Sequence, residues 1–117
     1  MSKDYRAITR DISAYSSEIR KLQPDAMQAF YALSKAAGAD GALDRKTKEL
    51  VALAIGITQR CDGCIGFHSK ALVGLGATRQ EVAEIAAMSV YMGGGPALMY
   101  AADALRAFDQ FNEPEAG

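Results

Sequence analysis

Hydrophobic residues at the start of the chain recur at Tyr5, Ile8, Ile12, Tyr15, Ile19 and Leu22, in steps of three or four. That spacing places them on one face of an amphipathic helix. Pro24 breaks the pattern and suits the first turn of a second helix, which carries Met27, Phe30, Tyr31 and Leu33 and stops near Gly38. After the connector Ala39-Asp40-Gly41-Ala42, Asp44 is the N-cap candidate of a third helix with Leu50, Leu53, Ala54 and Ile57 on its apolar face. The basic pair Arg45-Lys46 in that first turn opposes the usual dipole preference. Residues 59–63 read as a break. A fourth helix then begins at Cys61 or Asp62 and ends at Leu75-Gly76, where glycine supplies the left-handed cap. Thr78-Arg79-Gln80-Glu81 has capping-box spacing and starts a fifth helix through Val82, Ile85, Ala86 and Met88. Gly93 to Gly95 end it, and Pro96 at the first position opens a sixth helix with Leu98, Met99, Ala102, Leu105 and Phe108.

No segment has the alternation of a strand, so the pattern predicts an all-α bundle of five to six helices. At 117 residues the chain is read as a single domain over 1–117, with an N-terminal helix over 1–22 and a flexible tail over 113–117. The 22 alanines allow close approach of helix axes, while four Phe, five Tyr and no Trp leave few large core anchors. Some apolar faces are therefore expected to be completed by a second copy, making the protein a homo-oligomer.

Charge narrows the function. Lys plus Arg total 13 against 14 Asp plus Glu, a net charge of −1, so no basic surplus points to nucleic acid or an anionic membrane. No apolar run is long enough to span a bilayer and no secretory h-region is visible, so the expected location is cytoplasmic.

The two cysteines and the single histidine, Cys61, Cys64 and His68, fall within eight consecutive positions. At ~100° per residue they share roughly a 60° arc of one helix face over about 10 Å of axis. Cys61 sits at or near a helix N-terminus, where free N–H groups favour a thiolate. His68 lies four residues beyond Cys64, within proton-sharing reach, and the i, i+3 cysteines can close a disulfide after oxidation of one of them. Other readings are an inert cysteine pair in the core of a helical oligomer and a zinc site. The latter lacks the second Cys/His pair that structural zinc normally uses.

The run from Glu49 through Cys61, Cys64 and His68 resembles the core of the AhpD-like alkylhydroperoxidases of the carboxymuconolactone decarboxylase superfamily. It has a Glu twelve residues before the first Cys, then Cys-x-x-Cys, then a His four residues after the second. The glycine-rich Gly93-Gly94-Gly95-Pro96-Ala97 step is also similar to small members, and the likeness spans about 20–112.

The resemblance implies a thiol-dependent peroxidase in which Cys64 is the peroxidatic thiolate, Cys61 resolves it to a disulfide, and His68 and Glu49 relay protons. It implies no metal or prosthetic group, only an external dithiol donor, either a lipoyl-bearing adaptor or a thioredoxin-like protein. Trimers or hexamers are the implied assemblies. A carboxymuconolactone-type decarboxylase and a general disulfide reductase are the alternative activities. Asp62-Gly63 stands where the better-known alkylhydroperoxidase carries an additional histidine. A single straight helix over 49–68 would hold Glu49 ~18 Å and ~120° away from Cys61, so Glu49 can join the site only if the chain reverses near 59–62. Phe67, Met88, Tyr91 and Met92 are the candidate pocket residues.

Overall fold

Asp4 opens the first helix: its carboxylate accepts the Ala7 N–H and caps α1, Tyr5–Leu22. The computed structural model describes residues 2–115. Gln23 alone separates α1 from α2, Pro24–Gly38, with the proline in the first turn where a missing N–H costs nothing. Asp44 caps α3, Arg45–Thr58, by accepting the Thr47 N–H, as its position indicated. The 39–44 connector is pinned from both sides, by the Arg45 N–H on the Asp40 carboxylate at 2.7 Å and by Lys48 Nζ on the Ala39 carbonyl at 2.6 Å. α4 runs Asp62–Gly74, and the left-handed residue after it is Gly76, at φ +77°. Thr78 and Glu81 form the complete capping box of α5, Arg79–Gly93. α6 spans Gly95–Asn112.

Only one of the three expected connector glycines lies between α5 and α6. Gly93 ends α5, Gly95 opens α6 with Pro96 second, and Gly94 makes the turn alone at φ +73°, ψ −156°, a conformation open essentially to glycine. A single residue with no Cβ achieves the reversal for which three had been assigned. Among the described residues the fold has no strand.

The core lies among α3, α4, α5 and α6. Leu53 and Ile57 of α3, Ile65 and Leu72 of α4 and Val82 of α5 are fully buried. Phe108 of α6 joins them, and Ala97, Ala101, Ala104 and Ala107 line the buried face of that helix. Methyl side chains at this spacing let α6 approach its neighbours closely. Surface ion pairs, Lys46 with Glu81 and Arg79 with Asp109, fasten the α3–α5 and α5–α6 pairs but contribute little each.

The apolar face of α1 is buried only at its start. Only Tyr5 and Thr9 are buried, whereas Tyr15 is 72% and Leu22 77% exposed. Its first half docks on α4; its second half, with α2, projects beyond the core, and α2 buries no residue at all. The docking depends on Gly66, because a Cβ there would stand 2.6 Å from Thr9 Cγ2 and 3.3 Å from the Tyr5 ring. Glu113 to Glu115 leave the helix, but Arg6 donates to the Glu113 carbonyl at 2.7 Å and Arg10 pairs with Glu115 at 3.0 Å. Residues 116 and 117 of the expected flexible tail lie outside the described residues.

Gly66→Ala is expected to lower stability by about 1–3 kcal/mol through overpacking, despite the better helix propensity of alanine. Adding Thr9→Ser, which deletes the opposing methyl and keeps the hydroxyl, should recover most of that loss. Urea unfolding of the two variants measures it, and an unrescued double variant would refute the contact.

Candidate active site

The break near 59–62 is a tight helix-terminating turn. The Cys61 N–H reaches back to the Gly56 carbonyl at 3.0 Å and the Arg60 N–H to the Ile57 carbonyl at 3.1 Å, the paired bonds of a Schellman motif. Its left-handed position is occupied by Arg60 at φ +55°, where glycine is usual. The chain thus reverses at once, and α4 returns along α3. Gly56 lets the two helices touch: a Cβ there would lie 3.0 Å from Cys64 Cβ.

This reversal brings Glu49 to the cysteine helix. Its Oε2 lies 2.6 Å from His68 Nδ1, both side chains partly buried. With the Nδ1–H donated to the carboxylate, Nε2 is left as the basic ring nitrogen. Cys61 is the N-cap of α4, and its Sγ accepts the Cys64 N–H at 3.1 Å. The two sulfurs are joined as a disulfide, with Cα atoms 5.2 Å apart. All four expected site residues therefore come together, on one helix start and the helix that runs beside it.

Cys61, Cys64 and His68 open into a cleft of about 710 Å³. Phe67 lines it, but Met88, Tyr91 and Met92 do not; helical phase leaves them exposed on α5, on a different surface. The far walls come from helices with no functional role expected from their sequence: Ile12, Ser13, Ser16 and Arg20 of α1 and Phe30, Tyr31 and Ser34 of α2. The available signal was the exposed, still amphipathic second half of α1 beside an α2 with no core to enter.

Asp62 and Gly63, between the cysteines, are both taken up by the docking of α1. A Cβ at 63 would lie 2.8 Å from Ile12 Cδ1, so a larger side chain there must displace Ile12 from the cleft wall. Asp62 accepts Lys3 Nζ at 2.9 Å and the Tyr5 hydroxyl at 2.8 Å. Lys3 also reaches Asp103 of α6 at 2.8 Å, so one ammonium ties the N-terminus to both helices. Burial opposes the charge on Asp62, but the bonds from Lys3 and Tyr5 hold its carboxyl below the usual carboxylate value. Burial and the neighbouring Asp62 raise the Tyr5 phenol, which stays protonated as the donor. Among the described residues no group of three or more His, Cys, Asp or Glu is arranged to hold a metal ion.

Residues 24–107 match the profile of the carboxymuconolactone decarboxylase family. The chain belongs to that family. A family protein from Legionella pneumophila, in its apo crystal structure, is 53% identical, with a TM-score of 0.93 over 96% of this chain and all of that one. A Thermotoga maritima member for which a part in the antioxidative response has been suggested is 26% identical, with a TM-score of 0.77 over 87% of each chain. An uncharacterised protein of Cupriavidus necator is 39% identical over 96% of this chain and 99% of its own. The carboxymuconolactone decarboxylase match covers Glu49, Cys61, Cys64 and His68 and leaves α1 outside it.

Because the Asp62 carboxyl is held below its unfolded value, its contribution to stability is complete above the ordinary carboxylate pKa of ~4 and fades as pH falls through the lowered folded value. Asp62→Asn should therefore cost on the order of 1 kcal/mol at neutral pH, allowing for solvent screening, and flatten the decline in stability below about pH 4. Thermal unfolding across that range tests it, and an unchanged acid slope would contradict the assignment.

Proposed function

We propose that this protein is a thiol-dependent peroxidase of the AhpD-like kind, working through Cys64 and Cys61 with His68 and Glu49 as its proton relay. The observation that carries the reading is the 2.6 Å contact between Glu49 and His68, made by residues nineteen positions apart beside a cysteine pair already at bonding distance.

The chemistry follows in three steps. His68, its Nδ1–H held by Glu49, takes the Cys64 proton on Nε2. The thiolate attacks the terminal oxygen of the hydroperoxide, the O–O bond breaks, and the departing alkoxide recovers the proton from His68 as an alcohol. Cys64 is left as a sulfenic acid. The Cys61 sulfur then attacks Cys64, the S–O bond breaks, and the hydroxyl leaves with the Cys61 proton as water. An external dithiol, from a lipoyl-bearing adaptor or a thioredoxin-like protein, reduces the disulfide by exchange. One hydroperoxide and one dithiol thus give one alcohol, one water and one disulfide, without a metal or prosthetic group. Cys61 suits the resolving role because it is the N-cap of α4, with its sulfur within bonding distance of Cys64.

Mass spectrometry of the reduced protein after one equivalent of hydroperoxide should show loss of two hydrogens at the 61–64 pair. Cys61→Ser should stop at the sulfenic acid, Cys64→Ser should not react, and Glu49→Gln should slow turnover by about 10²-fold or more. Hydroperoxide that leaves both thiols intact would defeat the proposal, and reduction of a disulfide substrate by the same protein would then favour a disulfide reductase.

We also propose that the protein self-associates. Val51 and Ile55 of α3 and Met88, Tyr91 and Met92 of α5 are exposed on neighbouring helices, with Tyr91 at 79% and Met92 at 75%. The α3–α5 contact through the Ser89 hydroxyl and the Ala54 carbonyl puts these residues on adjoining surfaces. Light scattering at micromolar concentration should give a trimer or hexamer, and a clean monomer would refute it.

A further inference from the structure

Arg20 is the one arginine or lysine on the cleft wall, and no Asp or Glu lines that cleft. Among the described residues Arg20 forms no ion pair. Its guanidinium lies over the Tyr31 ring at 5.8 Å, and among the described residues its N–H donors make no hydrogen bond. Arg20 is exposed at the rim of the cleft, where an unpaired cation beside apolar walls can meet an anion brought by a ligand. Ser13, Ser16 and Ser34 add hydroxyls to the same cleft, while Ile12, Phe30 and Phe67 supply its apolar surface.

The position of Arg20 also sets a length. Ile12 lies against Gly63, beside the cysteines, and Arg20 is two turns further along the same face of α1, ~12 Å away along the helix. The cleft therefore offers an apolar path with redox chemistry at one end and a positive charge at the other.

We propose that this cleft binds an amphipathic carboxylate that carries a hydroperoxide, in chemical class a fatty-acid hydroperoxide, with its carboxylate on Arg20 and its peroxide group beside Cys64. The inference rests on the peroxidase reading above. A carboxylate is the anion that best matches the planar donors of a guanidinium. The balance of the reaction is unchanged: the acid hydroperoxide becomes the hydroxy acid, and the dithiol pair is oxidised.

Two measurements test it, one of them independent of turnover. With dithiothreitol as reductant, kcat/KM for linoleic acid hydroperoxide should exceed that for its methyl ester by about tenfold. Arg20→Gln should collapse that ratio toward one, whereas Lys21→Gln, which removes the same charge from the next residue, should leave it in place. Calorimetric titration of the oxidised protein with monomeric decanoate should show saturable binding, weakened at least tenfold by Arg20→Gln and not by Lys21→Gln. Equal turnover of acid and ester together with decanoate binding indifferent to Arg20 would overturn the inference and leave the peroxidase reading standing. Decanoate binding that depends on Arg20, without turnover of any hydroperoxide, would uphold the carboxylate subsite and overturn the peroxidase reading instead.

Discussion

The reversal between α3 and α4 is the constraint on which the site depends. Glu49 and His68 meet only because the chain turns within three residues, and the turn is held by two backbone bonds and by the absence of a side chain at Gly56. Arg60 takes the left-handed position at a cost of ~1 kcal/mol relative to glycine, and the paired bonds keep it there. The same turn delivers Cys61 as the N-cap of the next helix. One local structure thus sets the carboxylate against the imidazole and gives the first sulfur its hydrogen bond. Lengthening the connector would relax Arg60 but would uncouple these two placements, because both follow from where the last turn of α3 hands over to the first turn of α4.

α1 imposes the second constraint, and it explains the residues between the cysteines. Position 63 is small where the end of the Ile12 side chain lies against it, and position 62 is anionic where Lys3 and the Tyr5 hydroxyl converge on it. Both positions that might have carried an additional imidazole make contacts that help to hold α1. The proposed proton relay is correspondingly short, Glu49 to His68, and the ring orientation rests on one hydrogen bond rather than a chain of them. In return the cleft gains a wall that the matched family segment does not contain.

Much of this was legible in the sequence where the signal is local. Asp44, Thr78 with Glu81, Pro24 and Gly76 mark helix ends through backbone chemistry that needs no tertiary context, and each lies where it was expected. The requirement that Glu49 fold back was a geometric deduction, and the turn at 59–61 satisfies it. What escaped was set by contacts between elements distant in sequence. Helical phase alone could not decide whether Met88, Tyr91 and Met92 faced the cleft or solvent, because the rotation of α5 about its axis is fixed by Val82, Ala86 and Ser89 against the core. Nor could it assign Arg20 and Tyr31, whose significance comes from two helices that extend past the core and face α4.

Chemistry and recognition are consequently drawn from different parts of the chain. Glu49, Cys61, Cys64 and His68 lie within the segment shared with the family, on helices locked by the common core, where a displacement of about 1 Å would break the Glu49–His68 hydrogen bond. The opposite wall stands on the second half of α1, outside that segment, and on α2, at its start, and both bury almost nothing of that core. A buried wall would couple every change of lining residue to the stability of the fold. An outlying wall docked through Gly66, Thr9 and the Asp62 network does not, since its attachment points lie in the first turns of α1 and the residues that face the cleft follow them. Selection can therefore retune which molecule reaches the cysteines by changing Ser13, Ser16, Arg20 or Phe30 while the reacting groups stay where the α3–α4 turn puts them.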